Sequence, residues 1–212
     1  MEGRAVGPGR LEALVDGVFA IAMTLLVLDL PKPAGSRHLA HDLLHQWPVY
    51  AAYLVSFVTV GLLWIEHDGM MSAVREVNRR FLERTLVFLL FISIIPWPTA
   101  LAAQYADTGS QASVAAILYA ATMLLMGLSF WTGWRYLAEH PAMVAEPART
   151  AFRAGARRAL LGGLVYILAI ALAALSAKAS FAIDALVAIY FAASKSEVPG
   201  LIHRAAQAHD GG

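Results

Sequence analysis

Four stretches of this chain contain no charged residue: Val49 to Ile65, Thr85 to Ala103, Ala112 to Trp134 and Ala159 to Ala177, of 17, 19, 23 and 19 residues. About 20 residues of helix cross the hydrocarbon core of a bilayer. Inside that core a lipid-exposed backbone must satisfy its own hydrogen bonds, which leaves helices or closed barrels. Leu11 to Leu30 adds a run interrupted by Glu12, Asp16 and Asp29, and Ala179 to Ser194 a weaker one of 16 residues around Asp184. The chain is 59% hydrophobic and 15% charged over 212 residues, against roughly a quarter charged in soluble domains. The expectation is an all-α integral membrane protein. Its six-transmembrane-helix bundle forms a single domain over residues 1–212, with spans near 11–30, 48–66, 84–103, 112–134, 158–177 and 179–194.

The formal net charge of +1 hides an asymmetry. If the N-terminus is cytoplasmic, the termini and the connections after the second and fourth spans hold Arg4, Arg10, Arg75, Arg79, Arg80, Arg84, Arg135, Arg149, Arg153, Arg157, Arg158, Lys195 and Arg204. Only Lys32, Arg37 and Lys178 fall on the other side. The positive-inside rule then places both termini in the cytoplasm, with the cell membrane as the host bilayer. A basic excess of this kind reports topology and does not imply a nucleic-acid partner. The chain has no cysteine, which excludes disulfides and thiol ligands. Acidic residues near the start of the first run, and no small-residue cleavage site after Leu30, argue against a signal peptide.

Breakers divide the runs. Pro31-Lys32-Pro33-Ala34-Gly35 ends the first helix, and Pro96 and Pro98 imply a kink or early stop in the third span. Between them "SRHLAHDLLHQW" reads as a short amphipathic helix. Polar loops are expected from His67 to Glu83 and from Glu139 to Arg158. Trp47, Trp64, Trp97, Trp131 and Trp134 all fall near span ends, as interfacial tryptophans do.

The first helix carries the most information. At 100° per residue Ala13, Gly17, Ala20 and Thr24 form one narrow stripe, the small-residue pattern that lets membrane helices approach closely. Beside it Arg10, Leu14, Ile21, Leu25 and Leu28 form a second face. Two readings of that face stand. Leucine stripes ordinarily face lipid, yet around a symmetry axis each aliphatic would repeat as a ring, and such rings gate ions by dewetting. Asp16 favours a wet or paired setting, because ionised groups in membrane segments are costly. It lies six residues and about 9 Å along the helix from Arg10, so the two do not share a face. Trp64, His67 and Asn78 are the candidate partners. The plainer alternative has Arg10 reaching the headgroups and Asp16 capping the helix start.

The run R-x-x-x-L-V-D-G-V-F-A-I-A-M-T-L-L-V-L from Arg10 resembles the first-helix signature of the endosomal/lysosomal potassium channel family, in its prokaryotic branch. That signature reads R-x-x-x-F-S-D and then G-V-F-A-I-A-x-T-L-L-V-L. "SFVTVGLLWIEH" resembles the family's second helix, and Asn78 with "LLFISIIPWPTA" its third. The resemblance covers about the first half of the chain; beyond it only the span count agrees. It implies six-helix subunits, four of which surround a pore lined by the first helix, with K+ as the permeant ion and no cofactor. Carried onto this chain, Ile21 is the narrowest ring, Thr24 the hydroxyl layer, and Leu25 and Leu28 further aliphatic lining. Arg10, Asp16, Trp64, His67 and Asn78 are the expected polar network around the first helix. Leu14 and Val15 replace the signature's Phe and Ser, which removes one hydroxyl near Asp16.

Other motifs carry less. Thr59-Val60-Gly61 spells the start of a carbonyl filter, but it sits inside an uninterrupted apolar run where extended backbone is excluded. His38, His41 and His45 at i, i+3 and i+7 are weak metal candidates, and their protonation offers a way to modulate conduction from outside. Asp184 is expected at the interfacial first turn of a helix starting near Phe181 or Ala182; a proton relay or cation site is the sharper alternative. No H-E-x-x-H, G-x-S-x-G or Gly-rich phosphate loop is present, so the chain is not expected to be an enzyme. The reading that unites these features is a homotetrameric, potassium-preferring channel in contact with membrane lipid. A proton-coupled secondary transporter is the alternative, and a closed structural bundle a third.

Overall fold

In a computed structural model the described residues are 7–33, 37–145 and 149–193, and their regular structure is helical. Arg4, Ala34, Gly35, Ser194, Lys195 and Arg204 lie outside the described residues. Pro8, pre-set for a first helical turn, opens α1 (Pro8–Leu26), which tightens into a 3-10 turn at Val27–Asp29 before Pro31 and Pro33 forbid continuation. A short α2 (Leu39–His45) leads through Gln46 into α3 (Trp47–Met71). Asn78 starts α4 (Arg79–Ile94), its Oδ1 accepting the Phe81 N–H at 3.0 Å. Pro96 and Pro98 have no N–H to give the carbonyls four residues earlier, so the ladder breaks at Ile95 and α5 (Pro96–Gln104) follows. Together α4 and α5 form one apolar segment of 26 residues. Gly109, at φ +60°, turns the chain into α6 (Ser110–Glu139). Then come α7 (Arg149–Ala173) and α8 (Ala177–Ala193).

Five segments among the described residues are long and apolar enough to cross a bilayer: Pro8–Asp29, Trp47–Met71, Arg79–Gln104, Ser110–Glu139 and Thr150–Ala173. The sixth helix, α8, has 17 residues. The helices overrun the charge-free runs at one end of the bundle. The polar stretch expected from His67 to Glu83 shrinks to the residues between Met71 and Arg79, and α7 begins nine residues before the expected boundary at 158. Arg153, Arg157 and Arg158 therefore stand on a helix and not in a loop. Arginine stems lie along apolar surface while the guanidinium stays in water, so a run of arginines does not end a membrane helix.

That end is tied together by backbone. Arg75 N donates to Met143 O at 2.8 Å and Ala145 N to Ala73 O at 2.9 Å, joining the α3–α4 and α6–α7 connections around an isolated Val74–Val144 bridge. Arg79, Arg80 and Arg84 start α4, Arg135 ends α6, and Arg153, Arg157 and Arg158 start α7, so the basic residues gather around this clasp. Past the α5–α6 and α7–α8 turns, Lys178 pairs loosely with Asp107 at 3.5 Å.

Inside, α1 packs on α3, α4 and α5, while α6 and α7 form the tightest pair. A Cβ on Gly127 of α6 would stand 2.9 Å from the Gly163 Cα of α7, so the two backbones touch where both residues lack a side chain. Trp134 departs from the expected interfacial position: it is buried, edge-on to Phe130 and tilted against Phe152, with Gly155 beneath its ring. Its place follows from α6 running past Trp134 to Glu139, which puts the ring inside the bundle.

Candidate conduction face

Helix α1 divides cleanly into two sides. Leu11, Val15, Phe19, Ala22 and Leu26 recur every three or four residues and are buried against the rest of the chain. The opposite side is open: Ala13, Leu14, Gly17, Ala20, Ile21, Thr24, Leu25 and Leu28 are all exposed, Ile21 at 60% and Leu28 at 62%. Among the described residues the small stripe stays open, and a Cβ on Gly17 would meet nothing within 4 Å. A stripe built for close approach and left uncovered invites another helix from outside the chain. On this face the Thr24 hydroxyl donates to Ile21 O at 2.9 Å. Its proton is thereby spent on its own helix, and the lone pairs of the oxygen become its outward chemistry, which suits a cation.

The five residues expected as one polar network occupy separate places. Trp64 Nε1 donates to Asp16 Oδ1 at 2.8 Å, pinning α1 to α3 at the edge of the open face. His67, one turn beyond Trp64, is 2% exposed and turned inward. It stacks on Phe88 with centroids 5.8 Å apart and on Phe130 at 6.4 Å, and packs against Phe19 at 6.5 Å. Its Nε2 has no hydrogen-bond partner among the described residues, so His67 acts as an aromatic wedge under α1. Asn78 belongs to a third group, donating to Tyr136 Oη at 2.9 Å while it caps α4. The Arg84 guanidinium lies 4.5 Å above the same tyrosine ring. Arg10 is exposed on α1; its backbone N–H donates to Gly7 O at 3.1 Å, and its side chain makes no hydrogen bond or ion pair among the described residues. Val15 faces the core, so the hydroxyl missing from the signature would have pointed away from the open face.

The remaining motifs fall elsewhere. Thr59, Val60 and Gly61 are ordinary turns of α3, with the Thr59 hydroxyl donating to Val55 O at 2.7 Å. His41 and His45 stack with centroids 6.1 Å apart, His41 Nδ1 lies 3.4 Å from Asp42 Oδ1, and His38 precedes α2. Among the described residues no three His, Asp or Glu side chains converge on a metal position. Asp184 is a correction. Because α8 starts at Ala177, the carboxylate stands two turns into the helix and is 2% exposed, not at an interfacial first turn. The sequence also hid a buried hydroxyl chain: Ser56 Oγ lies 2.8 Å from Thr99 Oγ1 and 3.1 Å from Tyr119 Oη. Serine, threonine and tyrosine in apolar runs carry no pattern that says they will meet.

Residues 10–96 match the endosomal/lysosomal potassium channel TMEM175 family. The chain is 40% identical to a protein from Streptomyces collinus named potassium channel B446_29190, over 90% of this chain and 94% of that protein. It superposes with a TM-score of 0.78 and 34% identity on the crystal structure of a lysosomal potassium-selective channel TMEM175 homolog from Chamaesiphon minutus, covering 87% of this chain and 96% of that one. A chicken relative, 35% identical over 46% of this chain and 22% of its own length, is named endosomal/lysosomal proton channel TMEM175. Similarity thus extends well beyond the first three helices, where the sequence motifs end.

Proposed function

The chain belongs to the endosomal/lysosomal potassium channel TMEM175 family, and from that premise we propose that it is a potassium channel whose conduction path is built from α1. It is an ion channel and no enzyme. Four copies assemble as a homotetramer with the open faces of α1 turned to a common axis. Ile21 forms the narrowest ring, Thr24 a hydroxyl layer one turn away, and Leu25 and Leu28 the aliphatic lining beyond. No charged ring meets the ion at that constriction, so selectivity rests on pore diameter and on exchanging part of the hydration shell for Thr24 oxygens. Arg10 and the Asp16–Trp64 pair hold α1 at its cytoplasmic end. All six long helices, α8 included, form a single domain in the plasma membrane. Both termini are cytoplasmic, which the basic residues around the Val74–Val144 clasp support. The partners are other copies of the chain, K+ and lipid, with no cofactor and no nucleic acid.

The observation that carries this reading is the division of α1: one side is buried in its own subunit, and the other presents a small-residue stripe beside aliphatics that stays exposed among the described residues. The test is the reversal potential of purified protein in a planar bilayer, with potassium on one side and sodium on the other. A second pair of solutions sets up a proton gradient alone. Reversal towards the potassium equilibrium potential, altered by Ile21→Asn, is expected. Current that follows only the proton gradient, or silence from folded and oriented protein, would overturn the potassium path.

A further inference from the structure

A second polar site lies away from α1, between α3, α6, α7 and α8. The buried stripe of α8 is Ala177, Ser180, Asp184 and Ala188, while Leu186 and Ile189 point outward. Neither carboxylate oxygen of Asp184 has a hydrogen-bond partner among the described residues, and neither does Ser180 Oγ one turn before it. What the neighbouring helices offer is hydroxyl chemistry. Tyr119 of α6 and Tyr166 of α7 are both buried, and the Tyr119 ring lies 6.2 Å from that of Phe181 on α8. Tyr119 continues into Ser56 of α3 and Thr99 of α5. No charged side chain is hydrogen-bonded to Asp184 among the described residues. The one buried base among the described residues is His67, eleven residues and about 16 Å along α3 from Ser56, inside the phenylalanine cluster. Glu66 of α3 and Arg158 of α7 belong to the lining of a neighbouring cavity.

An unpaired anion in such surroundings is far more costly than a neutral acid, so the site demands a neutralising ligand. A dehydrated alkali cation needs a full shell of oxygens. Among the fully buried side-chain oxygens of the described residues here, the two carboxylate oxygens and Ser180 Oγ are the ones without a partner, while Ser56 already bonds Thr99 and Tyr119. A proton needs one oxygen, and it removes the charge without a coordination shell. We propose that Asp184 is a proton-binding site within each subunit, enclosed by Ser180, Tyr119 and Tyr166 and separate from the α1 conduction face. The proton passes from a water-borne hydronium to one Asp184 oxygen, forming an O–H bond and leaving water behind. Its route is the cavity of about 580 Å³ between α3, α6, α7 and α8. Tyr166 lines that cavity, as do Ile183 and Val187 on either side of Asp184, and Glu66 and Arg158 furnish its charged groups.

Infrared spectroscopy of the full chain in lipid, titrated with pH, tests the assignment against Asp184→Asn. The expected result is a protonated-carboxyl carbonyl band in the wild type that shifts in deuterium oxide, disappears on alkalinisation and is lost in the variant. A carboxylate signal at every pH above the range where exposed acids titrate would overturn it. So would a carboxylate signal that changes when potassium is exchanged for N-methylglucamine, which would mean a metal cation in the site. Should Asp184→Asn fail to fold, the wild-type melting temperature decides. A group that holds its proton more tightly when folded loses stability for the chain as pH rises through the interval where only the unfolded chain has released it. A flat or rising profile there would overturn the site. The potassium reversal potential is expected to be unchanged in Asp184→Asn, so a failed pore and a failed proton site give different results.

Discussion

Helices α1 and α8 make an instructive pair, because each carries a carboxylate and an exposed isoleucine in an apolar segment and resolves them in opposite ways. Asp16, near the start of α1, keeps to the open side and takes a hydrogen bond from Trp64. Asp184, in the middle of α8, is enclosed and has none among the described residues. Ile21 and Ile189 are nearly equally exposed in the single chain, at 60% and 63%, yet their surroundings differ. Ile21 stands one turn from Gly17, where the backbone itself is bare; Ile189 has Ala185 and Leu186 one turn before it, and α8 has no glycine to uncover its backbone. Exposure alone therefore does not distinguish a pore from a lipid face. The bare backbone at Gly17 does.

The largest effect should come from filling a contact that is already closed and comparing it with one that is open. Gly127→Ala sets a methyl 2.9 Å from the Gly163 backbone, where no flexible side chain can yield, and should cost about 1–3 kcal/mol of fold stability, the usual range for overpacking. Gly17→Ala meets nothing within 4 Å among the described residues and should leave the fold of the subunit intact while weakening tetramer formation. Thermal melting followed by tag accessibility, with size-exclusion chromatography for assembly, separates the two. Equal behaviour of both variants would erase the distinction between closed and open glycine stripes. Next in size is Ile21→Asn against Ile189→Asn. The first should raise potassium current about tenfold, equivalent to ~1.4 kcal/mol from the barrier, and the second should leave it unchanged in the same bilayer recording.

The sequence made the helical membrane class legible because charge-free length is a property of composition, and bilayer thickness converts it directly into spans. The break at Pro96 and Pro98 was equally legible, since missing N–H groups act locally. Helix ends were not: Arg153, Arg157, Arg158 and the Glu66-His67-Asp68 cluster look like loops in a charge count, yet all stand on helices. The open face of α1 was legible as a stripe, while its being uncovered depends on what α3, α4 and α5 leave free. His67 and Trp134 show the limit most clearly. A histidine beside an acidic cluster reads as a polar partner and a tryptophan at a span end as an interfacial anchor, but both are packed among phenylalanines brought by other helices. Such contacts are set by tertiary packing, which single-chain periodicity does not encode.

A smaller effect is expected at Thr24. Thr24→Val keeps the shape of the side chain and removes the hydroxyl that returns its proton to Ile21 O. Since the oxygen lone pairs are the only polar feature that side chain presents on the open face, potassium should lose preference over sodium. The shift should be several-fold, corresponding to the ~1 kcal/mol typical of one hydrogen-bonding group. Bi-ionic reversal potentials measure it, and an unchanged ratio would leave pore diameter as the sole source of selectivity.

The smallest effect separates anchoring from conduction. Trp64→Phe deletes the indole N–H that Asp16 accepts at 2.8 Å while keeping an aromatic ring on α3. The bond is exposed in the single chain, so its net worth should lie near the lower end of the ~0.5–1.5 kcal/mol range for such interactions. Asp16→Asn keeps an acceptor and weakens the same bond by removing the charge. If the pair does no more than fix α1 against α3, the two substitutions should be non-additive in melting temperature, because each removes one shared interaction. Selectivity should then stay at its wild-type ratio in both. A change in the potassium-to-sodium ratio in Asp16→Asn but not in Trp64→Phe would instead place the carboxylate charge itself in the path of the ion. Asp16 would then belong with Ile21 and Thr24 on the conduction face, and the contrast with the enclosed Asp184 would become one of function as well as packing.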